Sequence, residues 1–132
     1  MNKMLLLCGC LAVLTSSCAK SEPEEPTPPK VIELQYNGTV AEQGTVIHFS
    51  AVTSDSRCPT GSECSWAGNA EIVLELTGDG NQVAVLNTNP QFQQSYPYNN
   101  AKITLKELKP YPEVDQTIDR ESYIAVLELE KE

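Results

Sequence analysis

The sequence has little of the chemistry from which most enzyme and metal sites are built. Its 132 residues include one histidine and one tryptophan, and no second pair of cysteines or histidines has zinc-ligand spacing. The motifs G-x-S-x-G and H-E-x-x-H are absent, as is a glycine-rich phosphate loop leading into a helix. We therefore predict no catalytic residue, no metal site and no cofactor.

Positive charge is also scarce. Nine Lys and Arg residues stand against 18 Asp and Glu, which gives a formal net charge of −9. A polyanionic surface repels phosphate groups, so we expect no nucleic-acid partner. Anionic lipid headgroups would repel it as well, so electrostatics alone does not predict membrane binding.

The chain lacks a hydrophobic run long enough to span a bilayer, which requires about 20 residues. Its longest run is MLLLCGCLAVL, residues 4–14, which follows a short basic start containing Lys3. This length is typical of the apolar core of a signal peptide, so residues 1–17 are predicted to be a helical signal peptide that is removed. Its removal takes away Lys3 and no acidic residue, which leaves a net charge of −10.

The end of this segment, LTSSC, resembles the lipobox of bacterial lipoproteins, in which the signal is cut just before an acylated cysteine. The resemblance implies that Cys18 carries the lipid, although Thr15 stands where leucine is commoner. A cut before Cys10 would leave too short an apolar core. An ordinary secretory signal, with Cys18 as an unmodified thiol, is the other alternative.

Residues 18–30 follow the predicted cleavage site and contain AKSEPEEPTPPK, which has four prolines and three glutamates. Such a segment has almost nothing to bury and favours extended polyproline II geometry, at about 3 Å per residue. We interpret it as a tether. Its acidic start also resembles the export signal of surface-displayed bacterial lipoproteins. We therefore expect a protein of the cell envelope, lipid-anchored to the outer membrane and facing the periplasm or the exterior.

Residues 31–132 alternate apolar and polar positions with a period of two and show no capped helical period. Six segments read as strands: VIELQY, TVIHFSAV, AEIVLELT, QVAVLN, AKITLKEL and SYIAVLELE. The tight turn at residues 78–81 predicts a hairpin. Asn37-Gly38 predicts another, with Gln43-Gly44 as the alternative reversal. We predict an all-β domain, an antiparallel sandwich of immunoglobulin-like or similar type with about seven strands, or alternatively a small open barrel.

Cysteine usage predicts one disulfide inside this domain. Cys8 and Cys10 leave with the signal and Cys18 is acylated, so Cys58 and Cys64 remain as an even pair in an oxidising compartment. Closing the short loop between them would stabilise the fold by about 2 kcal/mol.

Two other functions for these cysteines remain open. A metal site could recruit His48, Asp55 and Glu63, and a nucleophilic cysteine could use His48 as its base. Both require free thiolates, which an extracytoplasmic pair does not retain.

The stretch DSRCP, four residues, then CSWAGNA resembles a motif of small secreted or lipid-anchored bacterial domains that are mostly uncharacterised. The resemblance implies a small all-β domain in which Cys58 and Cys64 pair. It carries no catalytic role to this chain.

The candidate binding surface combines Arg57 and Trp66 of this stretch with Tyr96 and Tyr98 of the amide-rich segment NPQFQQSYPYNN. Rings supply contact area and amides supply hydrogen bonds, which suits recognition of a glycan or an envelope protein. The alternative is that both tyrosines cover the end of the sandwich.

These observations predict a non-enzymatic binding or accessory protein, held at the membrane by its lipid. The alternative is an inhibitor of an extracellular hydrolase, such as a protease, that inserts the rigid Cys58–Cys64 loop into its target.

Overall fold

The computed structural model describes residue 23 and residues 25–132. The predicted signal peptide (1–17), the predicted lipidation site Cys18 and the first part of the predicted tether lie outside the described residues. The elements are β1 (Lys30–Gln35), β2 (Thr39–Glu42), β3 (Thr45–Asp55), β4 (Ala70–Gly78), β5 (Gly80–Asn87), β6 (Ser95–Tyr98), β7 (Ala101–Lys109), a 3₁₀ turn (Arg120–Ser122) and β8 (Ile124–Lys131).

The strands form two four-stranded antiparallel sheets that pack face to face. One sheet has the order β1-β8-β7-β6 and the other β2-β3-β4-β5. The predicted all-β sandwich with one internal disulfide is therefore confirmed, with eight strands in place of about seven. Within each sheet, paired strands are consecutive in sequence except for β1 and β8, and the chain crosses between the sheets after β1 and after β5.

The core lies between the two inner faces and follows from the period-two pattern. Alternate residues of β4 point inward, and Ile72, Leu74 and Leu76 are fully buried. The other large side chains with almost no exposure are Ile47, Phe49, Leu86, Ile103, Leu105, Leu108 and Leu127. Both sheets contribute to this set, so neither sheet can be removed without exposing the other.

The predicted hairpin at Asn37-Gly38 is wrong, and the alternative at Gln43-Gly44 is right. Gln43 and Gly44 both have positive φ (51° and 78°), as a two-residue type I′ turn between β2 and β3 requires. Asn37 also has positive φ, but there the chain crosses from one sheet to the other. The reason is that β1 pairs with β8 and not with β2.

Two short strands were not predicted, and both lie at sheet edges. β2 has four residues, and β6 has four residues that include Pro97. Proline cannot donate to a ladder, which makes the segment look like a loop, but an edge strand tolerates it.

The two ends of the sandwich differ in character. The connections at one end are the long segments 56–69, 88–94 and 110–123, and we call this the loop end. The other end has the tight turns at residues 43–44, 79 and 99–100, together with the start of β1 at Lys30, and we call it the tether end. The nine residues of β7 separate the two ends by about 30 Å.

Candidate functional site

A buried ion pair organises the loop end. The carboxylate of Asp55, at the end of β3, accepts hydrogen bonds from Nε (2.8 Å) and Nη2 (2.6 Å) of Arg57. The guanidinium of Arg57 also donates to the backbone oxygens of Leu108 and Pro110, and only 7% of the residue is exposed. Arg57 thereby ties segment 56–69, which contains the disulfide and which we call the cysteine loop, to the end of β7 and the residue after it.

Tyr123 completes this cluster from the position just before β8. Its hydroxyl donates to Oδ2 of Asp55 at 2.9 Å. Partial burial works to raise the pKa of Asp55, but hydrogen bonds from Arg57 and Tyr123 and the charge of Arg57 lower it below its ordinary value. Burial, with the hydrogen bond to Asp55 and its negative charge, raises the pKa of Tyr123 to about 12.

The pKa of Tyr123 predicts a specific alkaline sensitivity. An unfolded tyrosine ionises near pH 10, while the folded side chain stays protonated to about 12. Its contribution to stability is complete below pH ~10 and is lost as the pH rises through ~12. Denaturant midpoints measured between these values should fall more steeply for the wild type than for Tyr123→Phe. Equal slopes would contradict the assigned contact with Asp55.

The predicted disulfide is present and braces the neighbouring loops. Cys58 and Cys64 are bonded, with their Cα atoms 5.9 Å apart. The hydroxyl of Tyr111 donates to the carbonyl of Cys58 at 2.9 Å, and Arg57 lies over the Tyr111 ring with its Cζ 5.1 Å from the ring centre. Tyr111 is therefore held at its tip and on one face, while half of its surface stays exposed.

Backbone contacts close the neck of the cysteine loop. Ser56 N–H donates to the carbonyl of Asn69 at 2.7 Å, and Cys58 N–H donates to that of Ala67 at 2.9 Å. Gly68 lies where these two stretches cross, with φ +74°. A Cβ at that position would stand 1.9 Å from the carbonyl oxygen of Ser56, so only glycine fits.

A network of amides holds the segment 88–94 against the cysteine loop. The side chain of the buried Asn69 donates to that of Asn87 at 2.8 Å and accepts from the backbone N–H of Asn89. Asn89 in turn donates to the carbonyl of Gly68, and its side-chain oxygen accepts from the backbone of Gln91. The 88–94 segment is thus fixed by its own Asn89 together with Asn69 of the cysteine loop.

These elements enclose an open groove of about 500 Å³ at the loop end. Its most exposed rings belong to Trp66 and Tyr111, each 51% exposed. The rest of its lining comes from Arg57, Ala67, Gly68, Thr88, Asn89, Pro90 and Gln91. We call this the aromatic groove.

No protein-family model, curated protein or solved structure matches this chain. The resemblance of residues 55–70 to secreted bacterial domains stays a prediction from the sequence. The groove is accordingly interpreted from its own chemistry.

The structure separates the four residues predicted to form one binding surface. Trp66 and Arg57 lie together in the aromatic groove, but Arg57 is buried and already bonded. Tyr98 is also buried, and its hydroxyl bonds to the backbone of Asp79 and Gly80 at the tether end. Tyr96 is half-buried in β6 and donates to Gln82 of β5.

The correction to the tyrosines has a simple cause. Tyr96 and Tyr98 are two apart on a strand, so both face the core, while Pro97 between them faces outward and is exposed. The period-two pattern of SYPY was the signal that identifies this strand. Two groove residues outside the predicted four, Tyr111 and Gln91, lie in connections without such a pattern.

His48 does not lie at the groove. It is on β3, where Nδ1 is 3.0 Å from Oε2 of Glu75 and Nε2 is 3.1 Å from Oδ1 of Asn37. Among the described residues, no three His, Cys, Asp or Glu side chains form a group that could hold a metal ion. In the same part of the chain, no helix has the length and apolarity that a bilayer-spanning segment needs.

Proposed function

We propose that this protein is a lipid-anchored, non-enzymatic binding protein of the bacterial cell envelope. The observation that carries the proposal is the placement of the aromatic groove at the loop end, about 30 Å from Lys30, where the predicted tether joins the domain. An anchor at one end and a preformed groove at the other suit a protein that presents a binding surface away from a membrane.

Three further features support binding over catalysis. Both cysteines of the domain are joined, so they offer no thiolate. His48 is held by Glu75 and Asn37 on a strand outside the groove lining. Arg57 is the one charged side chain that lines the groove in the described part of the chain, and it is paired with Asp55.

Intact mass spectrometry of the protein extracted from membranes tests the anchor. We expect a chain that begins at Cys18 and carries acyl groups, together with a small mass increase when reductant opens the Cys58–Cys64 bond. A Cys18→Ser variant, which cannot be acylated, should leave the membrane fraction. An unacylated mature chain, or a Cys18→Ser variant retained like the wild type, would contradict the proposal.

The second candidate function is inhibition of an extracellular protease by the Cys58–Cys64 loop. It is favoured by the exposure of residues 60–67 and by the way the loop is braced, since Thr60 exchanges backbone hydrogen bonds with Pro112 and Val114. A panel of secreted proteases tests it. Inhibition that disappears on reduction would support the second candidate, and the absence of inhibition across the panel would count against it.

A further inference from the structure

We infer that the aromatic groove binds an uncharged carbohydrate chain, with Trp66 as the stacking platform. This inference rests on the proposed binding function and assigns its ligand class. Three properties of the groove carry it: its exposed rings, its unpartnered polar groups and its lack of free charge.

The rings supply exposed apolar surface, and the Tyr111 ring is fixed in place before a ligand arrives. Tyr111 is held by Cys58 and Arg57, and Trp66 lies two residues beyond the bridged Cys64. A ring that does not have to be ordered on binding gives more affinity per unit of contact area. The axial C–H groups of a sugar ring can pack on such a surface, because their hydrogen atoms are weakly positive and the face of an aromatic ring is weakly negative.

Polar groups at the groove are free to bond hydroxyl groups. Neither the indole N–H of Trp66 nor the side-chain amide of Gln91 has a hydrogen-bond partner among the described residues. Together they offer donors and an acceptor beside the exposed rings. Hydroxyl groups, which both donate and accept, can satisfy all of them.

The charges of the groove and of the whole chain disfavour anionic ligands, which could also bind to exposed aromatic rings. Among the described residues, Arg57 is the one cation that lines the groove, and it is neutralised by Asp55, so this lining offers no free positive charge to a phosphate or a uronic acid. The whole chain has 18 acidic and 9 basic residues and repels anions at a distance. The same repulsion acts against the glutamate-rich tether of a second copy, although its prolines would suit an aromatic groove.

Affinity electrophoresis of the purified protein in native gels tests the ligand class. The polymers in the gels are three neutral polysaccharides (a β-glucan, a mannan and a xylan) and one acidic polysaccharide (polygalacturonate). A soluble peptide with the tether sequence, AKSEPEEPTPPK, is tested separately by its effect on tryptophan fluorescence. We expect at least one neutral polymer to retard the wild-type protein and polygalacturonate to leave its mobility unchanged. Because Trp66 is the only tryptophan, its emission should also shift on adding that polymer.

Matched variants locate the binding to the groove. Trp66→Ala should weaken binding about tenfold or more, in line with the effect of removing a stacking ring elsewhere. Gln91→Ala should weaken it by a smaller factor. Phe92→Ala is the control, since Phe92 is a ring of similar exposure (48%) that does not line the groove, and it should bind as the wild type does.

Each contrary result identifies what has failed. Retardation that survives Trp66→Ala, or mobility unchanged by every neutral polymer, would overturn the carbohydrate assignment. An emission shift with the peptide but with no neutral polymer would also overturn it while leaving a binding groove in place. The proposed anchoring fails separately, by the mass measurement at Cys18, and does not depend on any of these gels.

Discussion

Gly68→Ala is expected to destabilise the domain by about 3–5 kcal/mol, whereas Gly80→Ala should cost about 1–2 kcal/mol. Both glycines have positive φ, +74° and +80°, so the backbone penalty for alanine is shared. They differ in their surroundings: a Cβ at Gly68 meets the carbonyl of Ser56 at 1.9 Å, and a Cβ at Gly80 meets nothing within 4 Å. The difference between the two losses in free energy of unfolding therefore measures the steric cost of a Cβ against the carbonyl of Ser56, at the neck of the cysteine loop.

Urea denaturation of the two variants beside the wild type gives the measurement. Comparable losses for Gly68→Ala and Gly80→Ala would show that the 56–69 segment can move aside, and the groove would then not be preformed. A large loss confined to Gly68→Ala would show that the neck is rigid. The hydrogen bonds that flank it, from Ser56 to Asn69 and from Cys58 to Ala67, predict the second result.

Arg57→Met is expected to cost about 3–5 kcal/mol, because it leaves the carboxylate of Asp55 without its cationic partner. The backbone oxygens of Leu108 and Pro110 lose their donor in the same variant. Arg57→Lys keeps the charge but lacks the planar fork, so it should recover only part of the loss.

Arg120→Met is the matched control for this prediction. Arg120 is exposed, and no ion pair joins it to another described residue, so its replacement should change stability by less than about 0.5 kcal/mol. Similar unfolding midpoints for the Arg57→Met and Arg120→Met variants would contradict the view that Arg57 is a structural centre of the loop end. That result would indicate that the Arg57 side chain is free to bind a ligand.

The sequence predicted the long strands because each buries one face. In β4 and β7 the alternation of apolar and charged residues is enough to identify both the strand and its inward side. The pairing of β1 was not predictable in this way. Asn37-Gly38 has the local chemistry of a hairpin, but the contacts of β1 with β8, at the far end of the sequence, override it.

The part of the candidate site that is built from rare residue types could be predicted from the sequence. The part that is held by hydrogen bonds to backbone carbonyl groups could not. Two cysteines and one tryptophan within nine positions identified the cysteine loop. The part of the Arg57 role that was not visible is its bonding to carbonyl oxygens 51 and 53 positions away, because every residue has a carbonyl. For the same reason the sequence assigned Arg57 to a surface, while the fold buries it.

The division between tight turns and long connections also determines where the chain tolerates additional sequence. Extra residues at Asp79 would interrupt the direct pairing of Gly78 with Gly80 and disturb the ladder between β4 and β5. Extra residues after Asp115, within the exposed stretch 113–117, would extend outward from the loop end without entering a sheet. The domain can thus serve as a scaffold for displaying a grafted peptide. Its loop end tolerates an insertion, whereas its tether end does not.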